Sequence, residues 1–362
     1  MARVQMQSAT LKFRLQPPSR RGWFHRIFGE PRKSLQLLEA AHGCPLCSHR
    51  DAYLLASCAR DGAPLRTVLC RGCGLARVDP LPDAESVSQY YRQGYRQEYK
   101  GVVEPKLHHV LRSGRIAVRR MRMLRRWIQP GQTLLDVGCG GGELVFVLSR
   151  QGIVACGHEE DSCYAEYARR EFGIVVSDGT WQTFEECQNR FDMITLFHVL
   201  EHLPQPVEAL ARLRSCLAPD GRVVVEVPNL EFAFTLSLNR FHRAHLYHFN
   251  PFTLSAVGER AGFRALEVFT SEDGGNVTAV FAAGPRPEGV ERDLGANVAR
   301  VLSQERRRSA ARYFLSPMVW KRTLVRLARM AEERIRVQRY SSPRAILESL
   351  LAGEAGSEFR GG

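Results

Sequence analysis

Residues 134–148, LLDVGCGGGELVFVL, decide how the rest of the chain is read. A short apolar run ends in an acid, Asp136. Four glycines and Cys139 fill the next positions, 138–142, and Glu143 then opens a second apolar run. TLLDV reads as a buried strand and ELVFVLSRQG as a helix closed by Gly152. Glycines between a strand and a helix let a backbone approach a bound molecule closely, so the loop is a candidate nucleotide-type site.

Working outward, the pattern alternates from 132 to about 284. IVACGHE is a strand and SCYAEYARREFG a helix closed by Gly173. IVVS and FDMITLF are strands, and PVEALARLRSCL is a helix. A turn at Pro219-Asp220-Gly221 leads to the strand RVVVEVP, and PFTLSAVGERAGF is a helix. RALEVFT and NVTAVFAAG close the series as a hairpin around Ser271–Gly275. Repeated strand–helix units predict an α/β fold with a mostly parallel sheet, and the hairpin makes the last strand antiparallel.

The loop excludes two ligands. A phosphate-cradling loop needs Gly-Lys-Ser/Thr after its glycines, and here Glu143 follows. A dinucleotide fingerprint needs a third glycine where Glu143 stands. A carboxylate at a helix start occupies the field that would draw a pyrophosphate, and Asp136 repels it further. A ligand with positive charge and no phosphate fits: S-adenosylmethionine carries a sulfonium, an ammonium, a carboxylate and an adenosine. About 20 residues past the loop, GHEED places Glu159 where an acid accepts hydrogen bonds from ribose hydroxyls. Glu160 and Asp161 could instead cap the next helix.

On these residues the sequence resembles the class I S-adenosylmethionine-dependent methyltransferases. LLDVGCGGG is similar to their first motif. FDMITLFHVLEHLPQPVEALARLRSCLAPDGRVVVEVPN is similar to their fourth strand, following helix and fifth strand. The resemblance covers about 130 to 285 and implies a Rossmann-like seven-stranded sheet with a reversed last strand. By position it implies cofactor contacts at Asp136, Gly138, Gly140 and Glu159, with Cys139 in the loop and Phe197 at the end of the fourth strand. It puts SDGTW beside the adenine, hence Asp178, Thr180 and Trp181; relatives often carry an acid where Thr180 stands.

Cys44-Pro-Leu-Cys47 and Cys70-Arg-Gly-Cys73 form two CxxC pairs separated by 22 residues. Each pair makes a tight knuckle, and four thiolates suit a structural, tetrahedral Zn²⁺. His49 and Cys58 lie between the pairs and fit the pattern less well. The ribbon and the following CGLARVDPLPDAESVSQYY resemble the N-terminal zinc-binding part of a methyltransferase subgroup. That subgroup includes sugar C-methyltransferases and enzymes of surface-polysaccharide and lipid-linked pathways. The resemblance implies a small-molecule or glycan acceptor.

Charge divides the chain of 362 residues. Residues 130–285 hold 11 Lys and Arg against 20 Asp and Glu; the flanks hold 40 against 18, which gives the net +13. An acidic centre between basic flanks means either solvated helix faces or attraction to an anionic partner. The expected organisation is a basic arm at 1–42, a four-cysteine zinc ribbon at 43–82 and an Arg-rich helical linker at 83–129. The methyltransferase domain follows at 130–285, and a basic helical extension at 286–362. SLQLLEAAHG, at 34–43, also reads as helical. The first 30 residues lack the apolar core of a signal peptide, and no run reaches the roughly 18 apolar residues that span a membrane. Ten cysteines, four of them in metal-type pairs, fit a reducing compartment. The expected location is the cytoplasm, with the basic, amphipathic flanks suited to peripheral docking on the anionic inner membrane face.

Methyl transfer from a sulfonium needs an acceptor held in line and, for many acceptors, a proton removed. Two histidine clusters are candidates. His198 and His202 follow the fourth strand; His242, His245, Tyr247 and His248 follow the fifth. His198, His202, His245, His248 and Tyr247 are the catalytic candidates, as base or as groups that orient the acceptor. His198, Glu201 and His202 at i, i+3 and i+4, with His245 or His248, could also bind a catalytic metal. This resembles the ExxEH metal motif of small-RNA 2′-O-methyltransferases and some quinone-ring O-methyltransferases, with His198 replacing its first Glu. Equally, the histidines could be satisfied groups that only shape a pocket. The leading expectation is a methyltransferase for a small-molecule, glycan or lipid-linked acceptor. The runner-up is an RNA-directed enzyme that binds through the ribbon and Arg-rich helices; a non-catalytic cofactor-binding module is third. No Asn/Asp-Pro-Pro-Tyr/Phe follows the fourth strand, which counts against exocyclic-amine methylases of nucleic acids.

Overall fold

Strands β1 (Leu37–Glu39), β2 (Asp51–Cys58), β3 (Pro64–Cys70) and β4 (Ala76–Val78) pair antiparallel in chain order. The computed structural model describes residues 35–83, 104–180, 190–234, 240–286, 293–308 and 310–358. The helix expected over 34–43 does not form: Leu37–Glu39 pairs with Asp51–Tyr53. An isolated helix of that length is marginal, and the strand instead lets Leu38 and Ala40 pack with Ala52 and Val68.

Helix α1 (Leu107–Leu124) leads to β5 (Thr133–Val137), α2 (Glu143–Ser149), β6 (Val154–Glu159), α3 (Ser162–Phe172) and β7 (Val176–Asp178). Then come β8 (Phe191–Phe197), α4 (Pro206–Ser215), β9 (Leu217–Pro228), β10 (Tyr247–His248), α5 (Pro251–Arg260), β11 (Phe263–Thr270) and β12 (Asn276–Ala283). Seven of these strands form one sheet in the order β11-β12-β9-β8-β5-β6-β7. β12 is antiparallel to both neighbours, and the pairs between β9 and β7 are parallel. This is the Rossmann-like α/β sheet with its last strand reversed. The Pro219–Gly221 turn is accommodated within β9, whose pairing to β8 jumps from Phe191↔Leu217 to Met193↔Arg222.

Both faces of the sheet are covered, which is why its strands read as continuous apolar runs. Leu134, Met193, Val224 and Val280 face α1 and α2. Leu135, Ile194, Val223 and Val225 face α4, α5 and the cysteine-bearing layer around Cys44, Leu75, Tyr247 and Phe249. β10 completes the first sheet rather than the second: Tyr247 pairs with Arg77 and His248 with Ala76. The ribbon therefore takes its fifth strand from a segment 170 positions downstream.

Four more helices follow: α6 (Leu294–Arg307), α7 (Ala310–Leu315), α8 (Pro317–Arg336) and α9 (Pro343–Glu358). α9 inserts Ile346 and Leu347 against Val110 and Leu111 of α1 and Phe146 of α2. Arg112 grips the buried Glu333 of α8, with Nε 3.1 Å from Oε2. Arg122 pairs likewise with Glu354 of α9.

Candidate active site

The glycine loop sits at the carboxyl end of β5, where parallel α/β sheets bind ligands. Gly138, Gly140 and Gly142 have φ of 69°, 59° and 83°, a left-handed backbone that favours glycine. At Gly138 space is also short, because a Cβ would lie 2.5 Å from Val199 Cγ2. The N–H groups of Gly138 and Cys139 donate to the His158 carbonyl at 2.7 and 3.1 Å, tying the loop to β6. Cys139 turns its side chain under the loop: a Cβ on Gly157 would come 2.5 Å from its sulfur. Its thiol is spent on packing, and only its backbone lies in the loop.

Two acids frame this loop. Asp136 is 4% exposed, and Thr195 Oγ1 donates to its Oδ1 at 2.6 Å. Burial pushes the Asp136 carboxyl up to about 6, against the Thr195 hydrogen bond and the Arg120 charge, which pull it down. Glu159 accepts from the Gly140 N–H at 2.7 Å and from the Asp161 N–H at 3.2 Å. Asp161 caps α3 through the N–H groups of Cys163 and Tyr164. Glu143 is buried in the first turn of α2.

β7 brings the next candidates. Asp178 pairs in register with Glu159, but its half-exposed carboxylate takes Arg169 at 3.0 Å. His158 Nε2–H donates to the Gly179 carbonyl at 2.8 Å, and its Nδ1 lies 2.9 Å from Ser177 Oγ. This imidazole thus holds the segment that carries Thr180. Trp181 lies outside the described residues.

Phe197 ends β8, and the Arg120 guanidinium lies 3.9 Å above its ring. Arg120 also donates to Glu226 Oε1 at 2.6 Å. His198 follows with φ +60°, a strained value for a histidine, and its N–H donates to the Glu226 carbonyl at 2.8 Å. Its ring stands between two carboxylates, 3.4 Å from Glu201 Oε1 and 3.4 Å from Glu226 Oε1. Burial lowers the His198 pKa, but the two acids outweigh it and push the imidazole up to about 9. Burial would raise Glu226, yet His198 and Arg120 hold it down at about 2. Arg120, Glu226, His198 and Glu201 thus form one chain of alternating charge.

Beyond it the histidines gather. His202, in a 3-10 turn (Leu200–His202), donates from Nδ1 to the Ala244 carbonyl at 2.7 Å. Its Nε2, the acceptor in a neutral imidazole, lies 3.9 Å from Glu201 Oε1. The His202 and His245 rings meet edge-on at 4.8 Å, and His245 lies 5.4 Å from His242 and 6.1 Å from His248. Burial, helped by the neighbouring imidazoles, holds His245 well below the ordinary range. Burial and nearby cations also push His242 down to about 4 and His248 down to about 3. Glu201 is 1% exposed, and among the described residues neither of its carboxylate oxygens has a hydrogen-bond partner, nor does His248 Nε2.

Tyr247 does not join this cluster. Successive residues of a strand point to opposite faces, so with His248 facing the histidines Tyr247 enters the core, where its hydroxyl donates to the Pro204 carbonyl at 2.9 Å. Its expected catalytic part is therefore withdrawn.

The four ribbon cysteines converge. Cys44 and Cys73 sulfurs are 3.6 Å apart, Cys47 and Cys70 3.4 Å, and all four lie within 4.8 Å of one another. Neither His49 nor Cys58 belongs to this group. The donors fit a tetrahedral Zn²⁺, whose four thiolates would leave two net negative charges. Arg77 supports that fit. It is 1% exposed, donates to the His42 carbonyl at 2.5 Å, and among the described residues leaves Nε and Nη1 without a hydrogen-bond partner. A buried guanidinium held at the His42 carbonyl, two residues before Cys44, suits an anionic metal centre.

Sequence reading missed Thr195, Arg120, Glu226 and His158. Thr195 had a signal, a lone hydroxyl inside the apolar FDMITLF. Arg120 had none, being one arginine of many on α1.

Comparison with known proteins places these observations in a family context. A family model described as a methyltransferase domain matches residues 108–268. The chain is 26% identical to the C-methyltransferase NovU of Streptomyces niveus over 255 residues, covering 68% of this chain and 57% of that protein. It is 30% identical to a ubiquinone biosynthesis O-methyltransferase of Pseudomonas paraeruginosa over 123 residues, covering 32% of this chain and 49% of that protein. The chain thus spans about half the length of these relatives. Among solved structures, magnesium protoporphyrin IX methyltransferase from Synechocystis PCC 6803 with bound SAH aligns at 16% identity and a TM-score of 0.43, covering 56% of this chain and 100% of that one.

Proposed function

We propose that this chain, whose residues 108–268 match a family model described as a methyltransferase domain, is a class I, S-adenosylmethionine-dependent enzyme that transfers a methyl group to a small-molecule acceptor, namely a sugar, a glycan or a lipid-linked metabolite. One observation carries the reading: the acid-framed glycine loop and the histidine cluster open at the same carboxyl edge of the sheet, at the ends of β5 and β8. The C-methyltransferase and O-methyltransferase names of the relatives support a small molecule, with carbon or oxygen as the atom methylated.

Bound S-adenosylmethionine supplies the methyl as a sulfonium. Asp136 and Glu143 bias the pocket toward that positive charge. Gly138 and Gly140 admit the ligand close to the backbone, and Glu159, held beside the loop by the Gly140 and Asp161 N–H groups, accepts from the ribose hydroxyls. Thr180 and Asp178 border the adenine side, and Phe197 forms the floor. His202, His245 and His248 orient the acceptor, and one of the neutral imidazoles takes its proton. His202 is the leading base, because its Nδ1 is fixed on Ala244 and its Nε2 lies 3.9 Å from Glu201 Oε1.

The cluster also fits a second reading. Glu201, His202 and His245 offer ligand atoms within 4.8 Å of one another, and the Ala244 carbonyl orients His202 as carbonyls orient metal-bound histidines. A divalent cation held there would supply Lewis acidity to an acceptor oxygen. The ribbon Zn²⁺ is structural in either reading. A peripheral contact with an anionic bilayer, through the basic extension, belongs to the same proposal.

Calorimetric titration with S-adenosylmethionine and S-adenosylhomocysteine tests the cofactor. Micromolar binding is expected. Transfer of labelled methyl to nucleotide sugars, hydroxylated aromatics and lipid-linked glycans then tests the acceptor class; a protein that is folded and zinc-loaded yet binds neither cofactor form would refute the reading.

A further inference from the structure

We infer that α8 lies on the surface of an anionic lipid bilayer, its apolar stripe in the headgroup boundary and its arginines against lipid phosphates. This gives the bilayer contact proposed with the function its element, and it stands on the surface of α8 rather than on methyl transfer.

α8 runs for 20 residues, about 30 Å of helix. One side is spent on the protein: Val319 and Glu333 are buried, and Glu333 is held by Arg112 of α1. The opposite side carries Trp320, Leu324, Leu327 and Ile335, spaced by four, three and eight with the exposed Ala331 between. These four large side chains are 55, 67, 57 and 63% exposed, and Leu315, just before the helix, is 81% exposed. The Trp320 N–H is already bonded to the Phe314 carbonyl at 2.8 Å, so the ring presents mainly carbon. A stripe about four turns long, with every member exposed, is not the scatter of single apolar residues normal to a surface.

Its borders are basic. Residues 317–339 hold seven Lys and Arg against two Glu, a net of +5. Lys321 and Arg334 flank the stripe, and Arg326, Arg329, Arg336 and Arg339 are exposed further round. An apolar stripe between cationic shoulders is the pattern of a helix that lies in a membrane interface. Charge decides among the occupants. A second copy would bring two such basic segments, each of net +5, together. A nucleic acid would use the arginines but leave Leu324, Leu327 and Ile335 in water. Anionic lipid meets both features at once. No helix among the described residues is long and apolar enough to cross a membrane, so the contact is with the surface.

The test is co-sedimentation of the full-length protein with vesicles of phosphatidylcholine alone and of phosphatidylcholine with about a third phosphatidylglycerol. Binding to the anionic vesicles alone is expected, weakening as salt rises. Leu324→Glu with Leu327→Glu should weaken it by about tenfold or more, and so should Lys321→Glu with Arg334→Glu. All these residues are solvent-facing, so thermal melting and S-adenosylhomocysteine binding should stay as in the wild type. Unaltered vesicle binding in both variants would overturn the assignment to α8, and so would a dimer in solution that Leu324→Glu dissociates. Failure to bind S-adenosylhomocysteine would count against methyl transfer and leave the vesicle result readable.

Discussion

Thr195 holds Asp136 across two parallel strands: its hydroxyl donates to the buried carboxylate at 2.6 Å, at paired positions in β8 and β5. This bond is the main local support of a carboxyl that burial has raised to about 6. Thr195→Val removes it without changing shape. Cofactor affinity should fall about tenfold at pH 7, since hydrogen bonds to charged groups contribute about 1.5–3 kcal/mol. Calorimetry on the variant checks this, with thermal melting to confirm the fold.

The same carboxyl gives a pH dependence with opposite signs for binding and stability. A cationic ligand prefers the ionised form, so affinity should rise as pH passes upward through about 6. The Asp136→Asn variant should bind weakly at all pH values and lose that rise. Ligand-free stability runs the other way. A folded pKa above the unfolded value means that the contribution is full below about 4 and is lost as pH climbs through about 6. Melting curves between pH 4 and 8 should show this loss in the wild type and not in Asp136→Asn.

Gly138→Ala tests the loop itself. The new Cβ meets Val199 Cγ2 in a left-handed backbone, and strain of this kind costs about 1–3 kcal/mol. Stability and cofactor affinity should both fall. Val199→Ala in the same chain should recover the steric part and leave the backbone part, a difference that a double-mutant cycle measures.

Elemental analysis separates the two readings of the histidine cluster. With a histidine base, one zinc per chain is expected, lost in Cys44→Ser. With a cation on Glu201, His202 and His245, a second equivalent is expected, lost in Glu201→Gln while the ribbon zinc stays. In both readings His202→Ala and His245→Ala should keep cofactor affinity within about twofold and slow turnover by about a hundredfold or more, the scale of general-base effects. Loss of cofactor binding in either variant would place those histidines on the wrong side of the reaction.

Much of this was written in local patterns. The glycine loop and strand–helix alternation carry their own periods, and the cysteine knuckles carry their spacing, so the sheet and the four-cysteine group could be read before any coordinates. What escaped depended on register or on distance along the chain. Thr195 meets Asp136 only because β8 and β5 align at that rung. Arg120 reaches Glu226 across 106 positions. Tyr247 and His248 are neighbours in sequence, and a two-residue strand sends them to opposite faces, one to the core and one to the cluster. SLQLLEAAHG has helical propensity, and a three-residue pairing with β2 overrides it.

β10 is shared property, since it lies beside the proposed acceptor site but is hydrogen-bonded to the ribbon. The four-cysteine ribbon therefore anchors the wall that carries His245 and His248. Trading acceptor preference between relatives by recombination would require residues 35–83 and 240–250 to travel as one cassette. A graft of either piece alone would import a wall without its footing.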